Sequence, residues 1–288
     1  MPEIERARSA SWTLRTRTLH FGKLPELMGI VNVTPDSFSD GGHFFSPQLA
    51  IDQALRLEDE GATILDIGGE STRPYSQSVS VDEELRRVLP VIEGLTSRVH
   101  AAISIDTSKA TVAAAAISLG AEIINDISGL QADPAMCETA STTGAAVCAM
   151  HMQGTPQTMQ DHPSYVDVVV EVIDFLKRRD NSLCSLGIDP QKICLDPGIG
   201  FGKTHQHNLL LIAACRQFHQ LGRPILIGHS RKGFIGKLIG DKGADRTAGT
   251  LGISIALALS RIQILRVHNV RATRDALDCF SAAAPEYF

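Results

Sequence analysis

The sequence predicts an α/β fold, a single (β/α)8 TIM barrel with a short N-terminal β-hairpin or plug. Three observations predict it. Short β-branched runs alternate with Ala/Leu-rich helical segments from one end of the chain to the other. Roughly eight such units fill 288 residues, close to the ~250 typical of this barrel. Polar residues recur at one place in each unit, just where the apolar run ends. A doubly wound open sheet is the alternative, and the end-to-end regularity favours the barrel. No linker or composition shift divides the chain, so residues 1–288 read as one domain, with a barrel core at about 26–284.

The elements follow in order. "SWTLRTRTLHFGK" precedes the repeating pattern and reads as a hairpin or plug at the barrel bottom, with Trp12 and Leu14 on one face. The strands expected next are "MGIVNV", "TILDIG", "AISIDT", "EIINDI", "AVCAMH", "KICLDP", "PILIGH" and "QILRVH". Helices are expected over "PQLAIDQALRLEDEG", "DEELRRVLPVIEGLTSRV", "SKATVAAAAISLG" and "SYVDVVVEVIDFLKRR". Gly61, Gly120 and Gly187 sit where helix C-terminal glycines belong, and Asp82, Ser108 and Asp133 read as N-caps. "AGTLGISIALAL" is too short to span a bilayer and reads as a buried helix.

Composition narrows the function classes. A hydrophobic fraction of 43% and a charged fraction of 20% are ordinary for a globular protein with a large core. A net charge of −5 argues against a nucleic-acid surface. The 6 Cys include no C-x-x-C pair and read as small buried thiols in a reducing compartment, the cytoplasm. "MPEIERARSA" lacks the apolar core of a signal peptide, and no membrane partner is expected.

Strand parity carries the chemistry, because residues two apart share a face. In "QILRVH", Arg266 and His268 oppose Leu265 and Val267. Two ionisable groups on one face of a buried strand are costly unless that face opens on a cavity. Ser104 and Asp106 oppose Ile103 and Ile105, Cys194 and Asp196 oppose Ile193 and Leu195, and Ile30 and Asn32 oppose Val31 and Val33. If these faces point inward, one end of the barrel collects Asn32, Asp106, Asn125, Asp196, Ser230, Arg266 and His268. That end is where such barrels carry active sites. Each residue taken singly also fits a capping or loop role. Together they do not, since Arg266 and His268 are not caps for a helix start.

The mouth then has two walls. Asp106, Asn125 and Asp196 offer acceptors that suit the N–H edge of an amino-substituted heterocycle. Arg266, His268, Arg73, Arg231 and Lys232 offer donors and positive charge that suit phosphate. Gly228 leaves room for a flat ligand, and the Asn32 amide oxygen could complete the shell of a Mg2+ held mostly by the ligand's phosphates.

With those residues in place, the sequence resembles one family. "MGIVNVTPDSFSDGG", "DIGGESTRP", "SIDTSK", "INDISG", "MHMQGTPQTMQ", "DPGIGFGK", "GHSRKGFIG" and "RVHNV" look like the dihydropteroate synthase family, in family order and over nearly the whole chain. The resemblance implies condensation of 6-hydroxymethyl-7,8-dihydropterin diphosphate with p-aminobenzoate, giving 7,8-dihydropteroate and pyrophosphate. It implies a pterin pocket of Asp106, Asn125, Met150, Asp196, Gly228 and Lys232. It implies a diphosphate site of Asn32 with Mg2+, Thr72, Arg266 and His268. A p-aminobenzoate and sulfonamide pocket would comprise Phe38, Thr72, Arg73, Pro74, Phe201 and Ser230, with Lys232 alongside. Catalysis would fall to Lys232, Arg266, His268 and Asp40: Mg2+-assisted dissociative loss of pyrophosphate, then arylamine attack. Loops around 33–46 and 73–81 would close over the site, and a homodimer would form through late helices.

Two departures stand out. Tyr75 follows "STRP" where the family usually has Gly, and Ile199 replaces a usual Phe. His229 and His151 read as structural, and His43, His162, His205, His207 and His219 as solvated. Two other functions compete. A corrinoid-type pterin methyltransferase would not need the Arg266/His268 pair. A catalytically silent pterin-binding homologue would be expected to lose Asn32, Arg73 or Lys232, and all three are present.

Overall fold

Alternation along the strands sorts the chain into two cores. The computed structural model describes residues 8–34, 46–241 and 243–287. A two-stranded antiparallel hairpin comes first, β1 (Ser11–Thr13) with β2 (Thr18–His20). Eight parallel strands follow: β3 (Glu26–Asn32), β4 (Ile64–Gly68), β5 (Ala102–Asp106), β6 (Ile123–Asp126), β7 (Ala146–Met150), β8 (Ile193–Asp196), β9 (Leu226–Ile227) and β10 (Ile264–Val267). They pair in the order β8-β7-β6-β5-β4-β3-β10-β9. A parallel bridge from Leu195 to Ile225 joins β8 to the residue before β9, so the sheet closes into a ring. The expected barrel is what forms.

The helices lie between the strands: α1 (Pro47–Asp59), α2 (Val81–Thr96), α3 (Ala110–Ser118), α4 (Met136–Thr143), α5 (Val168–Ser185), α6 (His205–Ala213), α7 (Gly233–Ile239), α8 (Thr247–Leu259) and α9 (Val270–Ala283). Outward strand residues such as Leu27, Val31, Leu65, Ile67, Ile103 and Ile105 join one buried cluster with Ala54, Val88, Ile92 and Leu95 of the helices. Two helices pack closely over Gly29: a Cβ there would lie 3.1 Å from Leu57 and 3.3 Å from Val270. Inward residues near the strand starts, including Met28, Ile64, Ala102, Ile123 and Ile264, form a second cluster with Trp12 and Leu14 of the hairpin. The hairpin therefore plugs the bottom, as expected. Its Trp12 Nε1 donates to Lys192 O at 3.0 Å, and Thr16 and Arg17 engage the buried Glu122.

Helix ends correct several expectations. Gly61, Gly120 and Gly187 do follow their helices with positive φ. The cap of α2 is Ser80, whose side chain accepts from Glu83 N, and not Asp82. Neither is Ser108 a cap: α3 starts after Lys109, and the Asp133 carboxylate caps it from outside, accepting from Ala110 N at 2.8 Å. Asp167 caps α5, which starts and ends later than "SYVDVVVEVIDFLKRR" predicts. Of the six free thiols, Cys148, Cys194 and Cys215 are buried as expected, while Cys279 is exposed. His219 is also a correction: it is buried, with Nε2 against Ser260 O at 3.0 Å, and burial lowers its pKa. No described helix is long and apolar enough to cross a membrane.

Candidate active site

The inward face changes character halfway up. Register aligns Ile30, Asp66 and Ser104 as one level, and Asn32, Gly68, Asp106 and Asn125 as the next. Arg266, one residue before the end of β10, reaches across the barrel at these levels. Its Nε donates to Asp66 Oδ2 at 2.6 Å and its Nη2 to Asp106 Oδ2 at 2.7 Å. Burial alone would lower the guanidinium's pKa, but Asp66 and Asp106 outweigh it and hold it above its ordinary value. Asn125 Nδ2 donates to the same Asp66 oxygen at 3.0 Å. A carboxylate only accepts, so the Asn125 amide is turned with its carbonyl oxygen left to accept from a ligand.

Asp106 and Asp196 are buried acceptors. Burial pushes the Asp106 carboxyl up to about 7, against the pull of Arg266 and with help from Asp66. Burial also raises Asp196, opposed first by Lys232. Asp196 Oδ1 accepts from Gly198 N at 2.7 Å. Gly198 must be glycine: its φ is +70° and a Cβ would lie 1.9 Å from His151 O. The "DPGIGFGK" loop is thereby pressed onto the end of β7, where Met150 is buried.

Lys232 stands opposite, donating to Ile199 O, with Nζ 4.5 Å from the Phe201 ring centroid. Burial lowers its ammonium to about 8, while Asp196 pulls the other way. Gly228 lies in the floor between Arg266 and Lys232, with a Cβ position at ordinary contact distance, 3.8 Å, from both Arg266 and Lys232 Nζ. His268 is held by Ser230. The Ser230 Oγ accepts from His268 N at 3.3 Å and lies 3.0 Å from His268 Nδ1. A hydroxyl that accepts from the backbone can give its own proton to Nδ1, which leaves Nε2 as the N–H donor. Burial lowers His268 to about 3, reinforced by the positive charges of Arg266, Arg231, Arg73 and Lys232, so the ring is neutral at pH 7.

The structure thus brings Asp106, Asn125, Met150, Asp196, Gly228, Ser230, Lys232, Arg266 and His268 to one end of the barrel. Asn32, half-exposed, ends β3 at the same level, with no hydrogen-bond partner for its side chain among the described residues. Thr72 is half-buried, and Arg73 and Pro74 are exposed on the loop after β4. Phe38 and Asp40 lie outside the described residues, as does most of the 33–46 loop. No group of three or more His, Cys, Asp or Glu suited to a metal occurs among the described residues. A Mg2+ bound chiefly by phosphate oxygens needs no such group, and the neutral oxygen of Asn32 fits as its protein ligand.

Two residues escaped the sequence reading. Asp66, fully buried, joins Arg266 to Asn125, and its inward parity with Ile64 and Gly68 was the available signal. Lys203, the last residue of "DPGIGFGK", is buried against His151 Nδ1 at 2.9 Å and Phe201 O at 2.9 Å. His151 is thus a structural partner, lowered to about 3 by burial and then by Lys203. His229 is likewise structural, buried with Nε2 2.8 Å from Ser254 Oγ. Tyr75 has φ 63°, the left-handed region that favours glycine. Its OH donates to Asp161 at 3.0 Å and its N–H to Pro156 O at 3.1 Å.

Comparison with known proteins points to one family. Residues 28–268 match the profile of a family described as "Pterin binding enzyme". A dihydropteroate synthase of Haemophilus influenzae is 47% identical over 262 residues, covering 91% of this chain and 94% of its own. A solved Xanthomonas albilineans dihydropteroate synthase with 4-aminobenzoic acid superposes with a TM-score of 0.88 at 43% identity, covering 96% of this chain and 98% of that one. A Yersinia pestis dihydropteroate synthase in a sulfonamide drug complex gives 0.89 at 42% identity, with 96% and 99% coverage.

Proposed function

The chain belongs to the pterin-binding enzyme family, and we propose that it is a dihydropteroate synthase joining 6-hydroxymethyl-7,8-dihydropterin diphosphate to p-aminobenzoate with release of pyrophosphate. The observation that carries this reading is the pair of facing walls at the strand ends. Asp106, Asn125 and Asp196 accept, while Lys232, Arg266 and His268 donate. The p-aminobenzoate and sulfonamide named for the solved relatives fit an arylamine as the second substrate.

In the mechanism, the ring's N–H edge lies on Asp106 and Asp196, with the Asn125 oxygen alongside. Met150 covers one ring face, and Gly228 makes space for the other. The diphosphate meets His268 Nε2–H, the cation of Arg266 and the hydroxyl of Thr72. Asn32 would hold Mg2+, which supplies charge neutralisation for the departing pyrophosphate. Lys232, set between ring and arylamine sides, carries a positive charge at neutral pH. An arylamine is already neutral at pH 7, so attack on the exocyclic methylene needs no strong base. Phe201, Thr72, Arg73, Pro74, Ser230 and, outside the described residues, Phe38 would enclose the arylamine. Asp40 would stabilise positive charge developing on the methylene.

The outer face of α8 supports a homodimer. Ala248, Gly252 and Ala256 are exposed on it, with Leu251, Ile255 and Leu259 beside them. Free thiols suit a cytoplasmic setting. The direct test is p-aminobenzoate-dependent pyrophosphate release from the pterin diphosphate. Release is expected with Mg2+ present and lost on chelation. Release without the arylamine would point to hydrolysis, and full activity after chelation would remove the metal role of Asn32.

A further inference from the structure

We propose that Glu70, Lys109 and Glu84 form a positioning cluster that fixes the stem of the 70–79 loop, and so sets Thr72 and Arg73 relative to the ring pocket; this rests on the arylamine role given to that loop above. Glu70 belongs to "DIGGESTRP" and Lys109 ends "SIDTSK", yet neither has a task in the reaction as described. In the structure they meet. Lys109 Nζ donates to Glu70 and, at 2.5 Å, to Glu84 Oε2. Glu84 sits in the first turn of α2, directly after the loop, and is fully buried.

The remaining Glu70 oxygen closes the loop on itself. Its Oε1 accepts from Val79 N at 3.3 Å, so one side chain ties the beginning of the loop to its end. Other contacts fix the same stem. Arg87 Nη1 donates to Gly69 O at 2.8 Å, and Gly69 packs so closely on α2 that a Cβ would lie 2.8 Å from Val88 and 3.0 Å from Glu84 Cγ. The tip, with Arg73 and Pro74 exposed, hangs from this stem.

Lys109 also connects the loop to the ring pocket. Asp106 ends β5 only three residues earlier. The segment between is fixed by Thr107 N donating to Asn125 O at 3.1 Å and by Lys109 N donating to Thr107 Oγ1 at 3.2 Å. One short run of backbone therefore carries a ring acceptor at one end and the loop's anchor at the other. The other Glu84 oxygen, Oε1, is buried without a hydrogen-bond partner among the described residues. Lys109 is thus the cation paired with the buried Glu84, and the ion group is held at the stem by the cost of separating it. None of the three side chains touches the reacting atoms in this arrangement. They are positioning residues.

The test compares Glu70→Gln with the double variant Lys109→Met/Glu84→Gln. The second removes Lys109 together with the fully buried Glu84 and leaves only the partly exposed Glu70 carboxylate, which keeps its bond from Val79 N, so it should fold even if Lys109→Met does not. Steady-state kinetics should show the KM for p-aminobenzoate raised about fivefold or more in both, with the KM for the pterin diphosphate within about twofold. Lys109→Arg should restore most of the loss. Hydrogen exchange on the whole chain gives a second readout that needs no turnover. Amides 71–79 should exchange at least ~10-fold faster in Glu70→Gln, with the barrel strands unchanged. Unchanged exchange there, or equal rises in both KM values, would overturn the proposal. A wild-type protein inactive with both substrates would overturn the function instead, and the exchange result would still decide the cluster.

Discussion

The two ends of the barrel are built from the same strands and obey opposite rules. At the bottom, inward positions such as Met28, Ile64, Ala102 and Ile264 close on Trp12 and Leu14, and the buried Glu122 beside the hairpin is paired with Arg17 and Thr16. At the top, the inward positions become Asp66 and Arg266 one step up β4 and β10, Asp106 two steps up β5 past Ser104, and Asp196 on β8. The bottom gains stability from apolar area. The top spends it, since buried charges cost several kcal/mol each and even paired ones are often no better than hydrophobic replacements. The contrast teaches that one alternating pattern can carry a foundation and a site, with the change made within one or two inward steps along a strand.

Substitutions can break that division, and the largest effect should come from the bottom. Trp12→Ala removes a fully buried ring and its bond to Lys192 O. It should destabilise by about 3–5 kcal/mol in denaturant unfolding, while turnover per folded molecule stays within about twofold. Lys232→Ala should do the reverse. Turnover should fall about 100-fold or more, with the unfolding midpoint unchanged or raised, because a desolvated cation is removed. A Lys232→Ala enzyme with near-wild-type turnover would take Lys232 out of the site.

A pH profile sharpens the same contrast at smaller scale. Asp106 must be ionised to accept from the ring, and its pKa is raised to about 7. Lys232 must be protonated to keep its charge, and its pKa is lowered to about 8. Falling pH therefore removes the acceptor and rising pH removes the cation. The KM for the pterin diphosphate should be lowest between these values and climb on both sides, by up to tenfold per pH unit. Asp106→Asn should flatten the acid side only. The smallest effect is expected at the rim. Tyr75→Gly relieves a left-handed residue but loses the bond to Asp161. Global stability should move by less than about 1 kcal/mol, while hydrogen exchange over 73–79 quickens.

Much of this was legible in the sequence because parity and period are local. The barrel, the plug and the eight strands follow from alternation, and the inward placement of Asn32, Asp106, Asp196 and Arg266 follows from the same count of two. What stayed hidden depends on contacts across the ring. "TILDIG" shows that Asp66 faces inward, but not that Arg266 and Asn125 converge on it. His219 looked solvated because its partner, Ser260, is 41 residues away. Ser80 and Asp82 are both good caps by type, and only the bond from Glu83 N to Ser80 Oγ distinguishes them. The left-handed φ of Tyr75 is one that glycine adopts without strain, and no residue-type rule would assign it to tyrosine.

The central claim is that the two walls divide the work, the carboxylates holding the ring and the basic wall holding the diphosphate. Calorimetric titration with 6-hydroxymethylpterin, which has the ring and no diphosphate, tests it most directly. Ring affinity should fall at least ~10-fold in Asp106→Asn and stay within about twofold in His268→Ala. Ring affinity that survives in Asp106→Asn, or falls equally in both, would contradict it.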